Sequence, residues 1–357
     1  MQKIVEIDRI DKKIMKCLDE DSRQPFSSIA KKVGLSSEGV KQRVNALLTN
    51  KVINRLFSEP NLNKLGLKTF RLNLKTMGMG KKKQEELFSK YCKKPNTQWI
   101  AACEGEWDFI IRFSLPSEME FKEEVEALMN EYGEFVKKKS ITLGLYSAFQ
   151  PLTGIIGGEK TNRINLERQD EKTRLDGIDY EILSTLYEDS RAQSTKIADK
   201  FGITPEAVQY RIKKLYRENV IKYNIVHYNA ESFGLSKYKI FISLQNITKE
   251  KEKALVNYCE QHPNVEFLMR VLGNWDLEVD VYVKNSSELH EVISEITAKH
   301  SGLIREYTTT AVLKENLGNP MRQFLEKPNF SLSRAKGLAS LRGSLKGMNI
   351  EDIREGH

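Results

Sequence analysis

The 357-residue chain lacks the marks of membrane and secreted proteins. It contains no stretch of 18 consecutive apolar residues, so the sequence predicts no membrane-spanning helix. Residues 1–8 carry charges where a secretory signal would need an apolar segment. Both absences favour a cytoplasmic protein.

Cysteine and histidine are scarce, and neither is clustered. The five histidines do not have the spacing of metal ligands. None of the cysteines forms a C-x-x-C pair, and we expect all four to be small buried residues outside any disulfide or metal site: Cys17, Cys92, Cys103 and Cys259. No nucleophile–base pair or acid dyad stands out, so we predict no catalytic residue, no metal and no cofactor.

Charged residues make up 30% of the chain and hydrophobic residues 39%, which is typical of a soluble globular protein with about two to four domains. The net charge of +8 is concentrated locally. Six Lys or Arg stand against one acid between Lys31 and Arg55, and six stand against two acids between Lys200 and Lys222. Such concentrations suit phosphate binding, although a solvated helix face has the same composition.

The sequence repeats itself at an offset of 168 residues. Asp21-Ser22-Arg23 corresponds to Asp189-Ser190-Arg191, and Gly105-x-Trp107-Asp108 corresponds to Gly273-x-Trp275-Asp276. No insertion or deletion interrupts the correspondence. We therefore expect both copies to have the same fold.

Each copy opens with the pattern of a winged helix-turn-helix. Ser36 and Thr204 suit helix N-caps, because a side-chain oxygen can accept from the free N–H groups of the first turn. Gly34 and Gly202 suit the tight turn after a preceding short helix. An apolar stripe follows each cap at helical spacing: Val40, Val44 and Leu47, or Val208, Ile212 and Leu215. The β-rich stretches 52–58 and 220–228 come next and predict a wing.

The second part of each copy alternates strand and helix patterns in the order βαββαβ. In copy one the elements are predicted at 68–75, 82–92, 98–103, 107–115, 118–132 and 136–148. In copy two they are predicted at 237–244, 249–261, 265–272, 275–283, 287–300 and 304–313. This order is typical of a ferredoxin-like α+β unit, an antiparallel sheet with both helices on one face. Its other face must meet water or a partner.

The predicted organisation is therefore a head and a βαββαβ module, with the pair repeated twice. We place a winged helix-turn-helix at 1–60, a module at 66–152, a linker at 153–174, a second head at 175–229, a second module at 234–315, and a basic tail at 316–357. The tail has few core-forming residues, which favours a mobile segment.

The ordered series of motifs resembles the Lrp/AsnC (feast/famine) transcription regulators over about residues 7–150 and 175–315. The series runs Asp-Ser-Arg, Ile-Ala-x-x-x-Gly, Val-x-x-Arg-[Val/Ile]-x-x-Leu, Val-Ile and Gly-x-Trp-Asp. The resemblance implies binding of double-stranded DNA by the winged heads and of a small effector, commonly an amino acid, by the ligand modules. It also implies self-association through the open sheet faces, within one chain or between chains.

The resemblance assigns the polar outer faces of the recognition helices to DNA. The DNA-binding residues expected are Ser36, Ser37, Lys41, Gln42, Asn45 and Thr49 in copy one, and Thr204, Gln209, Tyr210, Lys213 and Arg217 in copy two. Arg23, Arg43, Arg191 and Arg211 serve either phosphates or internal ion pairs. The outer faces differ between the copies, which predicts a preference for unlike half-sites.

The resemblance places the effector at the two Gly-x-Trp-Asp turns, through Gly105, Glu106 and Asp108 in copy one and Gly273, Asn274 and Asp276 in copy two. Glycine would let backbone N–H groups approach a carboxylate, and aspartate could accept from an ammonium group. A plain hairpin turn with a packed tryptophan has the same pattern. Copy two keeps the family's last strand at 308–313, whereas copy one departs from it at 141–145.

A second difference between the copies concerns the open sheet face, where Arg112 corresponds to Asp280. Opposite charges at equivalent positions predict that module one pairs with module two.

Two other functions of the protein stay open. Siroheme decarboxylases share this architecture, but the stretch 265–276, where their histidines are expected, contains none. An interaction module with degenerate DNA heads is the other.

Overall fold

The computed structural model of the protein describes residues 7–152, 164–166 and 172–326. Most of the predicted linker and residues 327–357 of the predicted tail lie outside these ranges. Within them, no helix is long and apolar enough to cross a membrane. Three of the four cysteines are buried, Cys92 is half-buried, and all four are free.

Head one consists of α1 (Arg9–Glu20), α2 (Phe26–Val33), α3 (Ser37–Thr49) and β1 (Ile53–Pro60). The predicted cap is present, because the Ser36 hydroxyl accepts from the N–H of Gly39 at 3.0 Å. Gly34 has φ of 75°, in the left-handed region that glycine favours. The apolar stripe of α3 is buried against α1 and α2.

Head two consists of α6 (Gly177–Glu188), α7 (Ser194–Phe201), α8 (Pro205–Arg217) and β7 (Ile221–Tyr228). Thr204 caps α8 by accepting from the N–H of Ala207 at 3.2 Å, and Pro205 occupies the first helical position as predicted. The wings of the two heads pair with each other, since β1 and β7 form a two-stranded antiparallel sheet.

The two βαββαβ units follow their heads. Unit one contains β2 (Lys68–Thr76), α4 (Lys81–Lys93), β3 (Thr97–Gly105), β4 (Phe109–Leu115), α5 (Glu118–Tyr132) and β5 (Val136–Phe149). Unit two contains β8 (Ser236–Leu244), α9 (Lys249–Gln261), β9 (Val265–Gly273), β10 (Leu277–Val283), α10 (Ser286–Lys299) and β11 (Ile304–Leu317). Trp107 and Trp275 lie in the turns before β4 and β10, and not in the strands where the pattern placed them.

The units do not keep separate open sheets, because their strands join into one closed barrel. The order of its eight strands is β2-β4-β3-β11-β8-β10-β9-β5, and β5 pairs back to β2. The long last strands make the closure. The first part of β5 pairs with β2 and its second part with β9, and β11 likewise passes from β8 to β3. Pairing across the units leaves no exposed barrel edge, so the inner face of each unit meets the other unit.

Two segments differ from the predicted linker and tail. Within the linker, residues 164–166 form the short strand β6, which pairs with β5. The tail was predicted from residue 316, but β11 runs to Leu317 and the short helix α11 (Arg322–Leu325) follows. Met321 is fully buried in the core of head two, and the ring of Phe324 stacks on Tyr180 at 4.2 Å. These apolar contacts hold residues 321–326 against head two, while residues 316 and 317 pair with β3.

Candidate functional site

The recognition helices α3 and α8 present all the predicted DNA-binding residues to solvent. Each of these side chains is exposed: Ser36, Ser37, Lys41, Gln42, Asn45, Thr49, Thr204, Gln209, Tyr210, Lys213 and Arg217. Tyr210 is 53% exposed, which is unusual for a large aromatic side chain. Head two carries Lys213 and Arg217 where head one carries Asn45 and Thr49, so the two faces differ in charge as well as in shape.

The framework arginines of the recognition helices face inward. Arg43 pairs with Asp8 at 2.7 Å and Asp11 at 2.8 Å, and Arg211 pairs with Asp176 at 2.8 Å and Asp179 at 2.6 Å. Burial opposes the charge of Arg211, but the two carboxylates raise its pKa above the usual value. These arginines tie each recognition helix to the start of the first helix of its head, so the internal ion pair is the alternative that the geometry supports.

The Asp-Ser-Arg motifs join the two heads to each other. The hydroxyl oxygens of Ser22 and Ser190 lie 2.7 Å apart in the interior. The Arg191 guanidinium donates to the carbonyl oxygen of Ser22 at 2.7 Å and stacks over the Phe26 ring at 3.8 Å, while Arg23 donates to the carbonyl oxygen of Ser190. Sequence reasoning missed this contact, because a repeated motif does not indicate that its two copies meet.

Each wing packs mainly over the head of the other half. Tyr228 of β7 lies in the core of head one, where its hydroxyl donates to the Asp19 carboxylate at 2.8 Å. On the other side, the N–H of Ser190 donates to the carbonyl oxygen of Leu56 in β1 at 2.8 Å. The recognition helices are therefore held at a fixed separation by interlocked heads.

The two Gly-x-Trp-Asp turns lie at the seams where the units join. The N–H of Glu106 donates to the carbonyl oxygen of Thr309 at 3.3 Å, and Gly273 is paired with Thr142. A Cβ atom on Gly105, whose φ is 125°, would lie 2.9 Å from the Thr309 oxygen. The glycines therefore permit close approach of a strand from the other unit.

The aspartates of these turns are engaged within their own units. Asp108 accepts from Lys75 Nζ at 2.8 Å and from the N–H of Thr76 at 2.7 Å. Burial raises the pKa of Asp108, but these donors outweigh it and hold the pKa below its usual value. Asp276 accepts from the N–H of Leu244 at 2.7 Å.

The remaining turn residues are more open to solvent or point into the barrel. Glu106 pairs with Lys138 at 2.6 Å, and Asn274 is exposed. Trp107 and Trp275 are both buried inside the barrel, with ring centroids 6.0 Å apart. The polar side chains of each turn therefore have separate partners, and the two turns lie at different seams.

The barrel interior carries ion pairs between the two units. Arg71 of unit one pairs with Glu278 of unit two, and both are almost fully buried. Lys239 lies between Asp280 and Glu278, and burial, reinforced by the nearby Arg71, lowers the pKa of Lys239 to about 7.

The interior therefore corrects the expected pairing of Arg112 with Asp280. The described ion-pair partners of Asp280 are Lys237, at 3.7 Å, and Lys239. Opposite charges do join the units, but through Arg71 and Glu278. A comparison of equivalent positions in the two copies could not predict this pair. The position equivalent to Arg71 is another cation, Lys239, and the position equivalent to Glu278 is Ile110.

A cavity of about 110 Å³ lies between the wing sheet and the barrel interior. Residues of both halves line it, including Glu59, Arg112, His227, Lys237, Asp280 and Glu315. Lys237 pairs with Glu266 at 3.0 Å and with Glu315 at 3.3 Å. Cations and carboxylates are both abundant around the cavity, so its lining has no strong excess of either sign.

Family comparisons agree with the motifs. The AsnC-type helix-turn-helix domain matches residues 7–48, a winged helix-turn-helix DNA-binding domain matches 175–222, and the Lrp/AsnC ligand binding domain matches 239–319. An HTH-type transcriptional regulator of Pyrococcus horikoshii is 32% identical over 144 residues, which cover 40% of this chain and 87% of that protein. The chain belongs to the Lrp/AsnC family.

Other relatives of this Lrp/AsnC chain have the same kind of name. The regulatory protein AsnC of Haemophilus influenzae is 24% identical over 120 residues, which cover 34% of this chain and 79% of that protein. Among solved structures, the siroheme decarboxylase NirDL covers 94% of this chain and 100% of its own, with a TM-score of 0.62 and 14% identity. At that identity the likeness shows a shared fold.

Proposed function

We propose that this Lrp/AsnC chain is a sequence-specific DNA-binding transcription regulator, and that a small effector, an amino acid, modulates its binding at the operator. The proposal rests on the exposure of the outer faces of the two recognition helices. Their outer polar residues are all exposed, whereas their framework arginines are engaged in internal ion pairs. The exposed residues are therefore available to DNA.

We propose further that the chain is a tandem duplication with two winged heads and two ligand modules, divided near residues 60, 153–174 and 230. The repeated order of helices and strands along the chain supports this division. A single chain would then present two recognition helices, as a dimer does. The paired wings and the Ser22–Ser190 contact support a fixed helix separation, and hence a bipartite binding site.

The DNA contacts divide into two groups by position on the helices. Ser36, Ser37 and Thr204 lie at the helix N-termini, where backbone N–H groups and the helix dipole favour phosphate. Lys41 and Gln209 follow within the next turns and support the same backbone contacts. The residues assigned to base edges are Gln42, Asn45 and Thr49 in head one and Tyr210, Lys213 and Arg217 in head two.

The effector is assigned to the turns of Gly105, Glu106 and Asp108 and of Gly273, Asn274 and Asp276. Each turn contacts a strand of the other unit, so a ligand there would touch both halves of the molecule. Because Asp108 and Asp276 are already hydrogen-bonded and Glu106 is paired with Lys138, an effector would be held mainly by backbone groups and Asn274, and Glu106 would contact it only by giving up that pair. Its binding would shift a seam, and a shifted seam changes how the interlocked heads are held.

The full-length likeness to NirDL favours a second candidate, a tetrapyrrole enzyme of the same architecture. Another structure of NirDL contains an iron-uroporphyrin III analogue. A tetrapyrrole needs a site at the upper end of the roughly 300–1,000 Å³ typical of ligand pockets. The cavity between the halves has about 110 Å³, and the larger spaces, of about 750 and 580 Å³, are open depressions of the surface. A poly-carboxylate also needs an excess of cations, and this lining is mixed. These observations favour the regulator.

The deciding experiment is selection of bound sequences from a random duplex pool, with purified protein at a stated salt concentration. We expect enrichment of a bipartite site with unlike halves. The double variant K213A/R217A should lose selection of one half only, and N45A/T49A should lose the other. As a control, Arg270→Ala removes a cation from the barrel exterior and should change neither half. Weak, salt-sensitive binding without enrichment would contradict the proposal, and absorption spectra with siroheme would then test the enzyme.

A further inference from the structure

Two charged groups that line the cavity between the wing sheet and the barrel interior take no part in the ion pairs around it. Most charged residues of its lining are engaged, such as Lys237, Glu315 and Asp280. Glu59 on β1 and Arg112 on β4 are different, because neither forms an ion pair within 4 Å with a described residue. The Nε atom of Arg112 is buried without a hydrogen-bond partner.

Glu59 and Arg112 also connect the cavity to a smaller neighbour. Both side chains line a second space of about 40 Å³ as well as the larger one. The Arg112 guanidinium lowers the pKa of Glu59, although the two groups form no ion pair within 4 Å. Both side chains retain some exposure, which leaves a path for a small solute.

The two halves of the molecule differ at the positions of Glu59 and Arg112. Glu59 corresponds to His227, and Arg112 corresponds to Asp280, yet all four line the same cavity. A symmetric dimer would place identical groups at both ends of a space between its subunits. Here the lining is asymmetric, because one half contributes Glu59 and Arg112 and the other contributes His227 and Asp280.

We propose that this cavity binds one small zwitterion per chain, of the size of glycine, alanine or serine, with its carboxylate on Arg112 and its ammonium group on Glu59. A guanidinium binds a carboxylate through two parallel hydrogen bonds, and a carboxylate accepts from an ammonium group. The volume sets the size, because an engineered cavity of about 150 Å³ holds one benzene molecule. The aromatic rings of Trp99 and Phe267 line the space between. The site is distinct from both effector turns.

The test is calorimetric titration of the full chain without DNA at pH 8, where the Glu59 carboxyl group is ionised. Glycine, L-alanine and L-serine should bind with one site per chain, and L-phenylalanine should be excluded by size. Propionate and ethylamine each carry one of the two charges and should bind at least tenfold more weakly than alanine. Arg112→Gln and Glu59→Gln should each weaken alanine binding at least tenfold. Arg270→Gln, on the barrel exterior, should leave it unchanged.

A second readout covers the case in which the Arg112 variant does not fold. Trp99 lines the cavity, whereas Trp107 does not, so alanine should change the fluorescence of the wild type and of Trp107→Phe but not of Trp99→Phe. Absence of binding to the folded wild type overturns the proposal. So does binding that Asn274→Ala abolishes and Arg112→Gln preserves, because the ligand then belongs to a turn. Because no DNA is present, failure here is distinguishable from failure of the regulator.

Discussion

The carboxyl group of Glu59 lies in an environment of low dielectric constant. Burial raises its pKa from 4.5 to about 7, although Arg112 acts in the opposite direction. The groups that face it are Arg112 on β4, Tyr187 on α6 and the residues of β7 that share its cavities, His227 and Lys222. Between pH 4.5 and 7 the unfolded chain has lost this proton while the folded chain keeps it. Stability from this group is therefore complete below pH 4.5 and is lost as the pH rises through 7.

The first prediction concerns Glu59→Gln, whose neutral amide has no proton to lose. The free energy of unfolding of the wild type should fall between pH 5 and pH 8 relative to that of Glu59→Gln, as measured by urea denaturation across this range. Glu126→Gln, an exposed carboxylate paired with Lys122, is the matched control and should run parallel to the wild type. Parallel curves for Glu59→Gln as well would show that Glu59 is not protonated in the folded state.

The second prediction concerns the buried pair of Arg71 and Glu278. Arg71→Met leaves the buried Glu278 with Lys239 as its remaining cation, so the cost should be clear but below the about 3–5 kcal/mol typical of a buried charge that has lost its partner. The double variant R71M/E278M removes both charges and should recover much of that loss. As a control, Lys122→Met in the exposed pair of Lys122 and Glu126 should lower the free energy of unfolding by less than about 1 kcal/mol.

The measurement for this pair is a double-mutant cycle of unfolding free energies. A strong favourable coupling between Arg71 and Glu278 is expected. A double variant whose cost equals the sum of the two single costs would mean that the charges do not depend on each other, and that other contacts hold the units together.

At the scale of elements, the third prediction concerns the seam between β3 and β11. Alanine at Gly105 would keep a φ of 125° that side chains rarely adopt, and its Cβ would press on the backbone of Thr309. Such backbone strain costs on the order of 1–3 kcal/mol, so Gly105→Ala should lower the urea midpoint. Gly302→Ala has open space around its Cβ and serves as the control. Equal stability of both variants would show that the seam can open at little cost.

Periodicity and caps predicted the single elements well, because both act within a few neighbouring residues. Helix α9 spans Lys249–Gln261 as predicted, and Ser36 and Thr204 cap the recognition helices. The closure of the barrel was not predictable in this way. It depends on the ends of β5 and β11 pairing with strands more than a hundred residues away, and the pattern of one strand does not indicate its partner.

The candidate sites also differ in whether they depend on neighbouring residues or on residues far apart in the chain. Exposure of the recognition-helix faces follows from helical periodicity, so the sequence could place them. The interior pairs could not be placed by comparing equivalent positions, because residues that correspond between the halves need not face each other. Arg71 meets Glu278 for this reason. Glu59 shares a cavity with Arg112 although one lies in the wing sheet and the other in the barrel. The order of segment 316–326 was not predictable because its apolar residues are few and their partners, in β3 and in head two, are distant along the chain.

At the scale of the whole molecule, the copies are interlocked and yet unlike. Wing strands cross between heads, and barrel strands cross between units. These crossings hold the two recognition helices in one interlocked frame. Within this layout, the helix faces are free to diverge, because a residue on the outer face of α3 or α8 has no role in the interlocking contacts.

The last prediction exchanges the outer face of one recognition helix. Head one with Q42Y, N45K and T49R carries the outer residues of head two on its own framework, so the selected DNA site should change from unlike to like halves at unchanged spacing. The reciprocal set, Y210Q, K213N and R217T, should give like halves of the other kind. The first set adds two cations to the DNA-facing surface, and the dependence of log K on log salt steepens by about 0.9 for each of them that also neutralises a phosphate beside the base it reads. The second set should make that dependence shallower. Selection from a random pool at two salt concentrations measures both effects. An unchanged site after both exchanges would mean that these faces do not read bases.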